Sequence, residues 1–264
     1  MAGPTTAERG ERQQESFGPF SARRLRKRRL RTIVILAVAV VLLGAGVVWL
    51  LYGSSWLRTD GVTVSGTRVL TPAQVRSAAA VPVGAPMVSV DTGAIEARLR
   101  RKLPRIDTVD VSRSWPHTIT LKVTERTPVL VMKKGADFVE VDGEGVRFAT
   151  VPQAPKGVPA LELAVSRPGS ATASLRRFGT DALVRAAVQV AADIPVPVAR
   201  STRNIKVRSY DDISLELSGG RTVVWGSAEN GRAKARALTA LMKAAPGAGH
   251  FDVSVPTAPA SAGS

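Results

Sequence analysis

Residues 33–52 (IVILAVAVVLLGAGVVWLLY) form the longest apolar run in the chain: they include no charged residue, and only Gly44, Gly46 and Tyr52 break the apolar character. An α-helix rises about 1.5 Å per residue, so a run of this length reaches roughly 30 Å, the thickness of a bilayer's hydrocarbon core. A buried core helix keeps a polar side, which this run lacks, and the pattern predicts a transmembrane helix over 32–53. A signal peptide is the competing reading, but the run exceeds the usual apolar region and residues 53–57 (GSSWL) offer no A-x-A cleavage site. Nine Lys/Arg stand in residues 1–31, most of them between Arg23 and Arg31. This bias predicts an N-terminus held in the cytoplasm and a chain that crosses outward. Trp49, Tyr52 and Trp56 suit the far headgroup layer.

Beyond the span the apolar positions change period. Residues 61–66 (GVTVSG) alternate as a short strand. Thr71-Pro72 starts a helix, an N-cap followed by proline in the first turn, that runs to about Ala80. Asp91 or Thr92 begins a second helix whose Ile95, Leu99 and Leu103 make a buried stripe, and Pro104 ends it. Strands over 106–113 and 118–125 follow, with Ile119, Leu121 and Val123 facing a core. Trp115-Pro116 is expected to pack across the hairpin mouth, and His117 reads as a turn residue.

Residues 138–146 (FVEVDGEGV) predict a hairpin around Asp142-Gly143. Residues 166–180 read as a loop, and Thr180 or Asp181 caps a helix with Leu183, Val184, Ala187, Val188 and Ala191 on one stripe. Strands over 204–208, 213–217 and 221–225 form an antiparallel meander. A helix over 229–244 turns Ala237, Leu238 and Leu241 inward and Arg232, Lys234, Arg236 and Lys243 outward. Residues 250–256 (HFDVSVP) read as the last strand. The predicted fold class is α+β: one N-terminal transmembrane helix, a β-α-α-β-β domain over 58–127, and a second mixed domain over 128–256 with an antiparallel sheet. Residues 1–31 are expected to be a basic, largely disordered tail, with little to bury before residue 23, and 257–264 a second disordered tail.

Charge extends this picture outward. The 264 residues carry a formal net charge of +16, and beyond residue 31 there are still 28 Lys/Arg against 18 Asp/Glu. The outer part therefore presents a positive surface suited to acidic partners or polyanions. The absence of cysteine makes the fold rely on its own core, and a count of two histidines argues against a multi-histidine metal site. No Walker motif, G-x-S-x-G elbow or S-x-x-K motif occurs. Asp211-Asp212 fits a turn better than catalysis, and Glu140, Asp142 and Glu144 fall short of an EF-hand pattern. No catalytic, cofactor-binding or metal residue is assigned, no cofactor is expected, and neither nucleic acid nor a small-molecule substrate is indicated.

The segment GVTVSGTRVLTPAQV, followed by AIEARLRRKLPRIDTVDVSRSWPHTITLKVTERTPV, resembles a POTRA domain of the form found in the FtsQ/DivIB family of bacterial division proteins. The resemblance rests on Val64-Ser65-Gly66, on Leu103-Pro104 leading to Val109, and on Trp115-Pro116 with Val123-Thr124-Glu125-Arg126-Thr127-Pro128. It continues through the Asp142-to-Gly145 turn and Val158-Pro159-Ala160-Leu161, and covers roughly residues 20–256. It implies a non-catalytic scaffold of the division complex, enriched at the septum, that links early and late division proteins and helps control septal peptidoglycan synthesis. The implied partners are FtsB-like and FtsL-like proteins and other membrane proteins of the complex.

In that family the final strand region receives the FtsB partner, and the matching positions here are Phe251, Asp252, Val253, Ser254 and Val255. An exposed edge there would accept a partner strand by β-augmentation, and a proline at Val253 would block it. The alternative is an ordinary closing strand covered by its own chain. Arg98, Arg100, Arg101 and Lys102 form a second candidate docking face, on the POTRA domain. An anchored binder of cell-wall polyanions is the alternative function, and an outer-membrane assembly factor a further rival.

Overall fold

A computed structural model describes residues 20–163 and 170–263. The apolar run lies in helix α1 (Phe20–Gly53), whose Leu30–Gly53 portion is long and apolar enough to cross a membrane. Its apolar side chains are exposed, Ile35 at 68% and Leu43 at 71%, and none of the span is packed into the protein, so this is no core helix. The helix starts at Phe20 rather than near residue 32. The basic cluster is thus helical, which corrects the expectation of a disordered tail up to residue 31. Arg and Lys are good helix formers, and extending an existing helix costs far less than nucleating one. The rest of the expected disordered leader, residues 1–19, lies outside the described residues.

Two compact units follow from the backbone contacts. One comprises the residues up to Gly61 with Pro82–Val90 and Ser114–Thr118, and the other comprises Val62–Val81, Asp91–Arg113 and Ile119 onward.

After a 3-10 turn at Ser55–Leu57 come β1 (Gly61–Ser65), α2 (Pro72–Ala79), α3 (Thr92–Lys102), β2 (Ile106–Ser114) and β3 (Thr118–Glu125), the expected β-α-α-β-β order. The three strands form a sheet in the order β1-β3-β2. Thr71 makes a full capping box with Gln74 at the start of α2, and Asp91 accepts from the Ala94 amide at 2.9 Å at the start of α3. Val75, Ile95 and Leu99 from the helices are buried, as are Ile106, Val109, Ile119 and Leu121 from the sheet. Gly66 follows β1 at φ +85°, and a Cβ there would sit 2.0 Å from the Val123 carbonyl oxygen. Only glycine fits that crossing.

A nine-stranded mixed sheet forms the remainder. Its strands are β4 (Leu130–Lys134), β5 (Asp137–Val141), β6 (Arg147–Val151), β7 (Ala160–Leu163), β8 (Thr202–Ser209), β9 (Asp212–Leu217), β10 (Thr222–Gly226), β11 (His250–Asp252) and β12 (Ala260–Ala262). The helices are α4 (Ser170–Asp193), α5 (Val196–Ser201) and α6 (Gly231–Ala244). The strand order is β12-β11-β10-β9-β8-β7-β4-β5-β6, with β4–β7, β7–β8 and β10–β11 parallel. The antiparallel meander expected over 204–225 is its middle. Leu183, Val184 and Ala187 of α4 and Leu238 of α6 share one core with Leu215, Trp225, Phe251 and Val253. Lys206 lies 2.5 Å from Glu216 and 3.9 Å from Glu162, an ion ladder across β7, β8 and β9.

Several local expectations change. The loop expected over 166–180 is helical in backbone from Ser170, and Gly179, at φ 71°, breaks the helix before its buried part; residues 164–169 lie outside the described residues. Trp115 is 53% exposed and does not close the hairpin mouth. Lys234, expected on the outer side of α6, is 2% exposed. Its Nζ donates to the Ser227 carbonyl at 2.8 Å, and burial pushes its pKa down. The tail expected to be disordered over 257–264 contains β12. An amide of Ala258 donates to the Val255 carbonyl at 3.0 Å, which turns the chain back so that its end can pair with β11.

The C-terminal end of the large sheet as a candidate docking site

The final strand is held from two directions. On one side β11 runs parallel to β10, with Thr222 opposite His250, Val223 opposite Phe251 and Val224 opposite Asp252. The Thr222 amide donates to the Gly249 carbonyl at 2.9 Å, and the Val253 amide to the Val224 carbonyl at 3.0 Å. The odd-numbered residues therefore spend their backbone groups on β10. Backbone groups alternate in direction along a strand, so those of His250 and Asp252 face the other way. There they meet the chain's own tail, His250 opposite Ala262, Phe251 opposite Ser261 and Asp252 opposite Ala260.

The expected edge strand is thus an inner strand, and the outermost position belongs to β12. Phe251 and Val253 are fully buried and belong to the core. Asp252 and Ser254 are half-buried and Val255 is exposed. Asp252 Oδ1 accepts from both the Ser254 amide (2.9 Å) and the Ser254 hydroxyl (2.7 Å), which ends the strand. A proline at Val253 would remove the bond to Val224 and a core side chain. It would damage the sheet rather than the docking edge.

The basic face of α3 is also rearranged. Arg98 Nη1 donates to the Ala79 carbonyl at 2.5 Å and to Ala80 at 3.3 Å, closing the C-terminus of α2. Arg100 pairs with Glu96 at 3.5 Å. Arg101 and Lys102 are exposed, so only part of the four-residue cluster forms an outward cationic surface. Among the described residues no three metal-ligating side chains come together.

A family model described as "POTRA domain, FtsQ-type" matches residues 57–126. The chain is 74% identical over its full length, and the full length of the relative, to the cell division protein FtsQ of Streptomyces collinus. The same holds for FtsQ of Streptomyces coelicolor, also 74% identical over the whole of both chains. This chain belongs to the FtsQ family of cell division proteins. A solved extracytoplasmic domain of DivIB from Geobacillus stearothermophilus overlaps 46% of this chain and 94% of its own, at 15% identity and a TM-score of 0.32.

Two of the FtsQ-type motif residues have roles that the sequence did not reveal. Glu125 accepts the backbone amides of Arg68 (2.7 Å), Val69 (3.1 Å) and Leu70 (3.0 Å), pinning the loop after β1. Burial pushes its carboxyl up, but those three amides and the Arg105 charge outweigh it, and the pKa falls below the usual carboxylate range. Its neighbour Arg126 pairs with Asp142 and lies 3.3 Å from Asp107. Arg105 lies 2.5 Å from Glu140, which is 4% exposed, and 5.2 Å over the Phe148 ring. Two arginines bordering the POTRA strands therefore grip two buried carboxylates of β5 and its turn. Asp142 Oδ1 also accepts from the Glu144 and Val146 amides at 2.9 and 2.8 Å, so the acidic residues of this FtsQ hairpin are turn and junction elements.

Proposed function

We propose that this FtsQ-family chain is a non-catalytic scaffold of the division complex. Anchored by α1 with its N-terminus in the cytoplasm, it gathers partners through its outer domains and helps control septal peptidoglycan synthesis. An FtsB-like protein, paired with an FtsL-like one, adds a strand to the outer side of β11 in the place that the chain's own tail occupies. The observation that carries this reading is the asymmetry at β11: one side is locked into the core sheet, and the other is covered by three exposed residues. Exposed sheet edges are ready templates for a partner strand. Arg101 and Lys102 supply a secondary contact for acidic patches. A fluorescent fusion imaged in dividing cells is expected to give a septal band, and crosslinking from Asp252 is expected to capture the FtsB-like protein. Uniform membrane staining, or salt-sensitive binding to wall polyanion without septal enrichment, would overturn the proposal.

A further inference from the structure

Three segments near the end of α1 are stitched into one rim. The Thr59 amide donates to the Ala85 carbonyl at 2.8 Å and the Gly84 amide to the Thr59 carbonyl at 2.7 Å. The amides of Asp60 and Gly61 both donate to the His117 carbonyl, at 2.8 and 3.2 Å. Arg58 bridges to Pro86 through the backbone, and its side chain donates to the Gly84 carbonyl at 3.3 Å. The whole rim belongs to the same compact unit as α1, and α1 also comes against the 3-10 turn at Met87–Ser89.

This rim exposes large apolar side chains from each of its segments. Trp56 and Val83 are each 67% exposed and Trp115 is 53% exposed. Trp56, Val83 and His117 line one open cavity of about 310 Å³ together with Arg58. Elsewhere beyond the span, the exposed large apolar residues among those described are Val69, Val146, Val196 and Val255, from four separate stretches of the chain. Single exposed apolar residues need no explanation, but a hydrogen-bonded cluster with two tryptophans does.

We infer that this rim, through Val83 and Trp115 as well as Trp56, is seated in the interfacial layer of the bilayer. The inference rests on α1 spanning the membrane. Trp56 follows the last helical residue, Gly53, by three positions, which limits its reach to roughly 10 Å. The headgroup layer is of similar depth, about 5–8 Å on each side. Indole rings partition there because they pair an apolar body with one N–H donor. Arg58 can extend its apolar stem along the same rim and place its cation among anionic headgroups. A water-soluble partner protein would have to cover this cluster within the space that headgroups already fill.

The chain has no cysteine, so single labelling sites are available without altering native thiols. Val83→Cys and Trp115→Cys, both at exposed positions, are nitroxide-labelled in the full chain reconstituted in phosphatidylethanolamine/phosphatidylglycerol vesicles. Leu42→Cys serves as the reference within the span and Val146→Cys as the reference in water. Collisions with oxygen, which concentrates in lipid, are compared with those of a water-soluble nickel chelate. The expected oxygen-to-nickel ratio at positions 83 and 115 is several-fold above that at 146 and below that at 42. A lipid-like value at 42 with water-like values at 83 and 115 overturns the rim inference while leaving the span intact. Water-like values at all four positions overturn the spanning reading and the inference with it.

Discussion

Ending the chain at Pro256 removes β12 and leaves everything else in the sheet. The tail holds on by three residue pairs, and none of its side chains is buried. Each backbone hydrogen bond contributes about 0.5–1.5 kcal/mol net, and each ordered residue costs about 1–2 kcal/mol of backbone entropy. Gains and costs of that size nearly cancel; because the tail is found paired, the balance is slightly favourable and is put at about 1 kcal/mol. At that value the edge is open in about one molecule in six, and a partner that needs the open edge binds correspondingly weakly. Truncation is therefore expected to tighten binding of an FtsB-like partner segment roughly sixfold and to lower stability by only about 1 kcal/mol. Fluorescence anisotropy of a labelled segment, titrated with full and truncated chains in the same detergent, measures the first effect. Thermal melting measures the second. Weaker binding to the truncated chain would refute displacement and make the outer side of β12 the docking edge.

Arg105→Ala leaves Glu140 buried without its cation and is expected to cost about 3–5 kcal/mol in a denaturant melt. Gly66→Ala forces a Cβ into the Val123 carbonyl at positive φ and is expected to cost at least about 3 kcal/mol, read as a large fall in Tm. Glu125 has a folded pKa below its unfolded value of about 4.3, so its contribution is present above that pH and is lost as pH falls through the folded pKa. Glu125→Gln should therefore melt earlier than the parent at neutral pH, and the two curves should converge on acidification. A gap that stays constant down to strong acid would refute the ionic role of Glu125.

The elements legible in the sequence are those whose signal is local. An uncharged run of bilayer length has one economical solution, and the caps at Thr71-Pro72 and Asp91 act through residues close by in the chain. Apolar alternation reported burial correctly for β3, and the four-residue stripe did so for Ile95 and Leu99 of α3, while Leu103 is half-buried past the helix end, because one-sided burial leaves that imprint. The strand β4 escaped because consecutive Leu130 and Val131 are both buried, which erases alternation. Lys234 and Arg98 looked like solvated cations, since a charge pattern does not say which carbonyls stand opposite each residue in space.

Long-range pairing was left to tertiary structure. Glu125 reaches amides more than fifty residues away, and Arg105 and Arg126 meet carboxylates of β5 and the turn after it. The strand β12 is the extreme case. Ala-Ser-Ala carries no apolar pattern and no β-branched residue, because its pairing uses backbone groups alone and buries no side chain. The sequence by itself determined a membrane-length helix, a β-α-α-β-β unit and a mixed domain ending in an apolar strand. Which strand lies outermost depends on where the tail folds, and only the assembled sheet decides it: a backbone hydrogen bond needs a neighbour in space, whatever side chain the residue carries.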